Sequence, residues 1–305
     1  MNSPTVCAIV LDYYGAEKTK KCLISLIGQG LKTVYILDNS DKSEAAATLR
    51  QAVNEVQVQG PDFELEVISA GQNLGFGKGV NSVIAHDKQT PSPHDYYLLL
   101  NNDAVAGPGL VAKLLDKFMT DTSIALVAPR IVSNDPGREF GIWYHRYFGL
   151  LLSRPGWGRF HYFTGCCLLF RKDLVAESGI FDESFFMYGE DVELGWRLTR
   201  QGKKMVCAED VCVRHDLGAS VDRKSFFYEY HMVRSHLRLS LKTRFHAVEL
   251  PILLIAKYTT LSCRAALRCL RYGVLTPLAA FLLAWFPIGV ESAHDSFKRS
   301  IRPDM

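Results

Sequence analysis

Apolar residues in this chain fall into short continuous runs separated by longer stretches with helical spacing. Val6 to Leu11 is rich in β-branched residues and has no polar alternation, the pattern of a strand covered on both faces. A helix follows, in which Cys22, Leu23, Leu26 and Ile27 form one apolar stripe. Thr33 to Leu37, Phe63 to Ser69, Tyr96 to Leu100 and Ile124 to Ala128 repeat the strand pattern. Helices are predicted between them around 44–56, over a stretch carrying Val80, Val83 and Ile84 into which the 73–81 run leads, and over about 109–119. Strand and helix alternating in this way predict an α/β fold with a mostly parallel, doubly wound sheet. From Pro129 to about Phe163 the pattern breaks into aromatics, glycines and arginines and reads as irregular. Cys166 to Phe170 is a further buried strand, Met205 to Ala208 and Val211 to Val213 are two short ones, and from Lys224 the chain turns helical.

Polar and acidic residues recur where these strands end: Asp12, Asp38, then Asn101-Asn102-Asp103. Open α/β sheets bind ligands along that edge. Asp103 has two readings, an N-cap for the following segment or a hard carboxylate ligand for a divalent cation bridging a diphosphate. His215, at the end of the last short strand, becomes a second ligand if the sheet edge brings it to Asp103. The stretch FFMYGEDVELGWR, from Phe185 to Arg197, crowds Glu190, Asp191 and Glu193 into the first turn of a predicted helix, where free N–H groups and the helix dipole suit acids. Two phenylalanines, a methionine and a tyrosine precede them, so the turn is expected to open onto a partly apolar cleft. A carboxylate there can take a proton from a sugar or alcohol hydroxyl. The run NLGFGKGVN at 73–81 fits no GxGxxG and follows the third strand rather than the first. Its two readings are a backbone that presents N–H groups to an anion and a plain tight turn.

With 305 residues, 48% of them apolar and 22% charged, the chain can bury a real core in one large or two modest domains. A net charge of +3 and a pI near 8.3 are too mild for a nucleic-acid partner. The excess is uneven, however: from Val221 onward 13 Lys or Arg stand against 6 Asp or Glu, leaving 22 against 26 before it. Eight cysteines without a CxxC pair argue against a structural metal site, and the first apolar run lacks the basic start and length of a signal peptide. Both point to a cytoplasmic location. In the basic region Leu250 to Ala256 and Val274 to Val290 are strongly apolar, with Lys257, Arg264, Arg268 and Arg271 between them. Three readings stay open there: an interfacial helix pair on anionic lipids, a hairpin packed on the catalytic body or in an oligomer contact, and a membrane span that Pro277 and Pro287 disfavour.

In order, LDYYG, LDNS, NLGFGKGVN, LLLNNDA, TGCCLLFRKDL, FDESFFMYGEDVELGWR and VRHDLGAS, over residues 5 to 222, resemble glycosyltransferase family 2 and within it the bacterial rhamnosyltransferases of surface polysaccharide synthesis. The resemblance implies a GT-A fold over 1–222, with 223–305 as a helical extension, and an inverting transfer from a nucleotide-diphosphate sugar. The default donor is dTDP-L-rhamnose, the alternative a UDP-galactose or UDP-N-acetylhexosamine. The acceptor is a glycan or lipid-linked saccharide at the inner membrane face, and Trp143 to Tyr162 is the stretch expected to bind it. By the same resemblance Asp38 contacts the base, Asp103 is the last acid of the DXD motif and Asp191 is the general base. His215 completes the site for Mg²⁺ or Mn²⁺ and the diphosphate. Asp12, Asn73, Gly75, Asn81, Asn102, Glu190, Trp196 and Arg197 are expected to line the donor pocket. Two positions depart from the family: Asp12 stands where it usually has Asn, and Asn101 replaces the first acid of DXD. Two other classes remain as alternatives. A nucleotide-dependent oxidoreductase would need GxGxxG where DYYGAEK stands, and a non-catalytic sugar-nucleotide scaffold would leave Asp103, Asp191 and His215 without a purpose.

Overall fold

A computed structural model describes residues 4–132, 142–215 and 224–286. The strands are β1 (Val6–Asp12), β2 (Thr33–Asp38), β3 (Glu64–Ser69), β4 (Tyr96–Leu100), β5 (Ala104–Ala106), β6 (Ile124–Val132), β7 (Ile142–His145), β8 (Leu150–Leu152), β9 (Arg159–Tyr162), β10 (Cys167–Arg171) and β11 (Lys204–His215). The helices are α1 (Ala16–Ser25), α2 (Ser43–Gln57), α3 (Phe76–Lys88), α4 (Leu110–Thr120), α5 (Glu190–Arg200), α6 (Phe226–Lys242), α7 (Leu250–Tyr272) and α8 (Thr276–Ala284). The chain divides into two compact units, Met1–Arg146 with Leu150–Ser220 and Tyr147–Gly149 with Val221–Met305.

In the first unit eight strands form one sheet in the order β3-β2-β1-β4-β10-β6-β11-β5. Strands β3, β2, β1 and β4 run parallel, as do β6 and β11, while β10 runs antiparallel between β4 and β6. The apolar run of β1 explains the layering. Val6, Ala8 and Val10 point to one face, where Cys22 and Leu23 of α1 and Leu49 and Val53 of α2 cover them. Cys7 and Ile9 point to the other, against Val80, Val83 and Ile84 of α3 and Leu194 and Leu198 of α5. Full burial of each large aliphatic side chain is worth about 1.5–3 kcal/mol, so a polar residue at any of these positions would be selected against by folding itself.

Three stretches differ from the sequence expectation. Residues 142–162 are not irregular but form a second, antiparallel sheet in the order β8-β7-β9; residues 133–141 of that region lie outside the described residues. Cross-strand aromatic packing, such as Tyr144 on Phe160 at 5.5 Å, orders strands too short to show a period in sequence. The two short strands predicted over 205–213 are one strand, β11, interrupted by a bulge between Ala208 and Cys212. The bulge hides the continuity because its extra residues break the alternation. Finally α7 runs unbroken from Leu250 to Tyr272, taking in cations that the sequence reading placed between two apolar segments. In the second unit α6, α7 and α8 pack through Tyr230, Val233, Leu261, Ala265 and Phe281.

Candidate active site at the carboxyl edge of the sheet

Parallel register brings the strand ends level: Asp12 of β1 pairs with Asp38 of β2, and Asp38 with Ser69 of β3. Just beyond β4, Asn102 donates from Nδ2 to Asp12 Oδ1 at 3.2 Å and to Thr19 Oγ1 at 3.1 Å. Asp12 Oδ1 also accepts the Thr19 hydroxyl at 2.5 Å, and its Oδ2 accepts the Gly15 N–H at 3.3 Å. Asp12 thus organises the β1–α1 turn. Tyr14 in that turn is held at φ 54°, a conformation costly for a residue with a Cβ, and its hydroxyl donates to Asp41. Asp38 Oδ1 accepts from the Ser40 N–H at 3.0 Å and the Ser40 hydroxyl at 2.6 Å.

Asp103 and His215 meet as the sequence suggested. Antiparallel pairing sets His215 opposite Ala104, and Nε2 of the imidazole lies 3.0 Å from Asp103 Oδ1. Both side chains are largely buried at this edge. Asn101, at the head of the same turn, has a buried Oδ1 without a hydrogen-bond partner among the described residues. A carboxylate and an imidazole are suitable donors for Mg²⁺ or Mn²⁺, hard or borderline cations that accept oxygen and nitrogen ligands.

A separate group with metal-type ligands, Cys7, Asp87 and His94, has its atoms within 4.8 Å of one another but belongs elsewhere. Asp87 already accepts from the Tyr35 hydroxyl at 3.0 Å, the Tyr97 hydroxyl at 2.8 Å, the His94 N–H at 3.1 Å and His94 Nδ1 at 2.6 Å. That saturated carboxylate pins α3 to the strands, and Cys7 sits at the start of β1, whereas the carboxyl edge is at its end.

The acids of the α5 first turn reach the same edge through β10. The Asn101 N–H donates to the Cys166 carbonyl at 2.9 Å, and the N–H of neighbouring Gly165 donates to Asp191 Oδ2 at 3.2 Å. Asp191 Oδ1 accepts the N–H of Val192 at 2.8 Å. Asp191 keeps partial access to solvent, whereas Glu190 is buried with Oε2 unpartnered among the described residues. Burial pushes both carboxyls above the ordinary carboxylate range; the Asp191 charge pushes Glu190 further, while backbone N–H donors restrain Asp191. Asp191 is therefore the more accessible and the more readily ionised of the two.

The glycine-rich run serves the protein's own backbone. Gly75 has φ 78°, and a Cβ there would fall 2.2 Å from the Phe186 carbonyl oxygen, which accepts the Phe76 N–H at 3.0 Å. A Cβ on Gly77 would meet Phe181, and one on Gly79 would meet Leu11 and Leu37. The contacts at Gly75 and Gly77 seat α3 against the segment leading into α5, and those at Gly79 seat it on β1 and β2, so the close approach has a structural partner. Asn73 Oδ1 accepts from Asn39 Nδ2 at 3.1 Å and from the Gly75 N–H at 2.9 Å. Asn39 completes the clasp by accepting the Leu74 N–H at 2.8 Å, a role the sequence reading missed because Asn39 appeared only as part of a turn motif.

Three residues expected in the donor pocket are engaged elsewhere. Asn81 is buried and spends both ends of its amide on the 178–183 segment, donating to Phe181 O at 2.8 Å and accepting the Ile180 N–H at 2.9 Å. Arg197 grips the same segment, donating to Ile180 O at 2.6 Å while paired with Glu193 at 3.1 Å. Trp196 packs on Phe160 at 5.1 Å and fastens the small sheet to α5. All three position the α5 entry from behind. The entry itself is strained, since Tyr188 adopts φ 65° immediately before the α5 N-cap, Gly189 at φ 89°.

A mostly parallel sheet with acids at its carboxyl edge and a second acidic pair delivered by an antiparallel crossing strand is the GT-A fold of glycosyltransferases. A mannosyltransferase from Pyrobaculum calidifontis, solved with GDP-Man and Mn²⁺, superposes on 98% of the chain and 80% of its own, with a TM-score of 0.57 at 16% identity. GalNAc-T7, solved with UDP, GalNAc and Mn²⁺, superposes on 77% of the chain and 48% of its own, with a TM-score of 0.57 at 13% identity. The chain belongs to the glycosyltransferase-like family 2, whose model matches residues 4–236. Among its relatives, an N-acetylglucosaminyl-diphospho-decaprenol L-rhamnosyltransferase of Mycobacterium tuberculosis is 29% identical over 189 residues, 52% of this chain and 61% of that protein. A low-salt glycan biosynthesis hexosyltransferase of Haloferax volcanii is 27% identical over 207 residues, 64% of this chain and 62% of that protein. The chain thus matches somewhat over 60% of the length of these relatives.

Proposed function

We propose that this protein transfers a sugar, with inversion, from a nucleotide-diphosphate donor to a saccharide carried on a diphospho-lipid, and that the sugar is L-rhamnose from dTDP-L-rhamnose. The observation that carries the reaction is the convergence of Asp191 and the Asp103–His215 pair on one sheet edge, joined through Gly165, Cys166 and Asn101. The choice of sugar and acceptor rests on the relative that transfers L-rhamnose to N-acetylglucosaminyl-diphospho-decaprenol.

In this reading the acceptor hydroxyl attacks the anomeric carbon from the face opposite the leaving diphosphate. Asp191 takes the hydroxyl proton as the new C–O bond forms and the bond to the diphosphate breaks. Its lifted proton affinity suits it to that work near neutral pH, and the N–H donors of Gly165 and Val192 hold the carboxylate in one orientation. Asp103 and His215 would hold a divalent cation, which when bound supplies positive charge against the leaving diphosphate. Asp38 stands near the nucleoside end, and Asp12 with Asn102 fixes the loop between the two. The exposed Trp157, whose ring meets His145 at 5.6 Å, offers an aromatic face of the kind sugar rings stack on.

A thermal-shift panel of the purified chain with dTDP, UDP and GDP, each with and without Mn²⁺, tests the donor. A ligand at a hundredfold excess over its Kd stabilises the native state by about 2.7 kcal/mol. A dTDP shift enlarged by Mn²⁺ is expected. A shift confined to UDP would move the reading to the hexosyl alternative, and no shift with any nucleotide would favour a scaffold with a degenerate donor site or a donor site that forms only with acceptor bound.

A further inference from the structure

The second unit carries a helix with an open apolar stripe on the side away from its neighbours and cations on the side toward them. In a water-soluble bundle the apolar stripe faces the neighbouring helix and the charged one faces solvent. On α7 Leu253, Leu261 and Ala265 do face the bundle, but a second apolar stripe faces solvent while three of the cations turn inward. Ile252, Ile255, Thr259, Cys263, Leu267 and Leu270 fall within an arc of about 120° at 3.6 residues per turn. That arc holds no charge, and its aliphatic members lie open, Leu267 66% and Leu270 82% exposed. The cations sit on the far side. Arg264 donates to Glu229 of α6 at 2.6 Å, Arg268 pairs with the same carboxylate, and Lys257, fully buried, donates from Nζ to His236 O at 3.0 Å. The helical stretch Ala247–Tyr272 is long and apolar enough to cross a membrane by composition, yet only 22% of its most apolar stretch is buried, so it is not a core helix. Helix α8 adds a second open row, Leu278 and Leu282, with Phe286 just beyond its end, beside its buried Ala280, Phe281 and Ala284.

We propose that this face lies in the surface of an anionic phospholipid bilayer, α7 parallel to the membrane plane with its uncharged arc among the acyl chains. Charge selects this occupant over a second copy of the chain. Residues 224–286 hold nine Lys or Arg against two Glu, and one of those two, Glu229, is already neutralised by Arg264 and Arg268. Two such units meeting face to face would repel, whereas anionic headgroups attract them. Lys242 and Arg244 before the helix and Arg271 near its end are exposed, so cations stand at both ends of the stripe. The row of cations along its inner side disfavours a perpendicular span, since Lys257, Arg264 and Arg268 would then sit at intervals across the hydrocarbon. The inference does not depend on the transfer reaction, because bilayer binding is read without donor or acceptor.

The test is flotation of the full chain with vesicles of phosphatidylcholine alone and with phosphatidylglycerol added, beside a Leu267→Glu/Leu270→Glu variant. Both positions are exposed, so the variant should keep its circular dichroism and Tm. Wild type is expected to float with anionic vesicles, at least tenfold less with neutral ones, and the variant at least tenfold less with either. Wild type that stays in the aqueous fraction, or a variant that floats equally well, overturns the proposal. So does light scattering that shows a dimer converted to monomer by the same substitutions without any vesicle binding, which would assign the face to a second copy.

Discussion

Asp191→Asn separates chemistry from structure. The substitution keeps the size of the side chain and retains an oxygen for the Val192 N–H, now 2.8 Å from Oδ1, but it turns an amide N–H₂ toward the Gly165 N–H that Oδ2 accepts at 3.2 Å. One hydrogen bond to a charged acceptor is lost, which costs roughly 1.5–3 kcal/mol. Against this, the carboxylate is disfavoured in the folded state, as its raised proton affinity records, and a neutral amide escapes that penalty. The two effects oppose each other, so folding stability should change by only about 1 kcal/mol, a Tm shift of a few degrees for a chain of this size. The rate has no such compensation. A positioned base contributes about 10²- to 10⁴-fold, so kcat for transfer should fall by that factor while the thermal shift produced by the nucleoside diphosphate persists. The pH profile gives a second readout. Wild-type kcat/KM should rise with pH through a value above the ordinary carboxylate range, and that limb should vanish in the variant. The assay is release of nucleoside diphosphate with acceptor present, from pH 5 to 9. An Asn variant within tenfold of wild type that keeps the acid limb would refute the assignment.

Three further outcomes follow from the same geometry. Gly75→Ala places a Cβ against the Phe186 carbonyl at a left-handed φ and disrupts the Phe76–Phe186 bond, so it should destabilise the fold by roughly 2–4 kcal/mol; a raised donor KM with unchanged Tm would instead return Gly75 to the donor pocket. Asp103→Asn or His215→Ala should abolish the Mn²⁺ enhancement of the nucleotide thermal shift while the nucleotide-only shift survives, and an unaltered Mn²⁺ response would remove both from the cation site. Glu190→Gln probes burial of charge. A carboxyl whose folded pKa is raised contributes stability fully present below its unfolded pKa and lost as pH rises through the folded one, so wild-type stability carries a downward slope from weakly acidic to weakly basic pH. The Gln variant should lose that slope and gain on the order of 1–3 kcal/mol relative to wild type at pH 8, measured by urea unfolding at pH 5 and pH 8; a parallel pair of curves would show Glu190 to be ionised and satisfied.

How far the sequence determined this protein is visible residue by residue. The uninterrupted apolar runs of β1, β2 and β4 can be buried only with both faces covered, and the helical stripes between them supply the cover, so the layered α/β architecture was legible at once. The acids Asp12, Asp38, Asp103 and Asp191 were equally visible, because a polar residue that stops an apolar strand or opens a helix stands out against its neighbours. Pairing was not visible. That β10 runs backwards between β4 and β6 depends on hydrogen bonds between residues far apart in sequence, yet it is what carries Asn101, Gly165 and Asp191 to one edge. The same holds for Asn81, Arg197 and the three glycines. Side-chain type showed that they matter, but only the tertiary fold decided that Asn81 and Arg197 hold the 178–183 segment and that Gly75 makes room for a carbonyl of its own chain. On α7 the sequence supplied a helix with cations and aliphatics interleaved. The direction each faces was settled by Glu229, because a buried carboxylate draws Arg264 and Arg268 inward and leaves the aliphatic side uncovered.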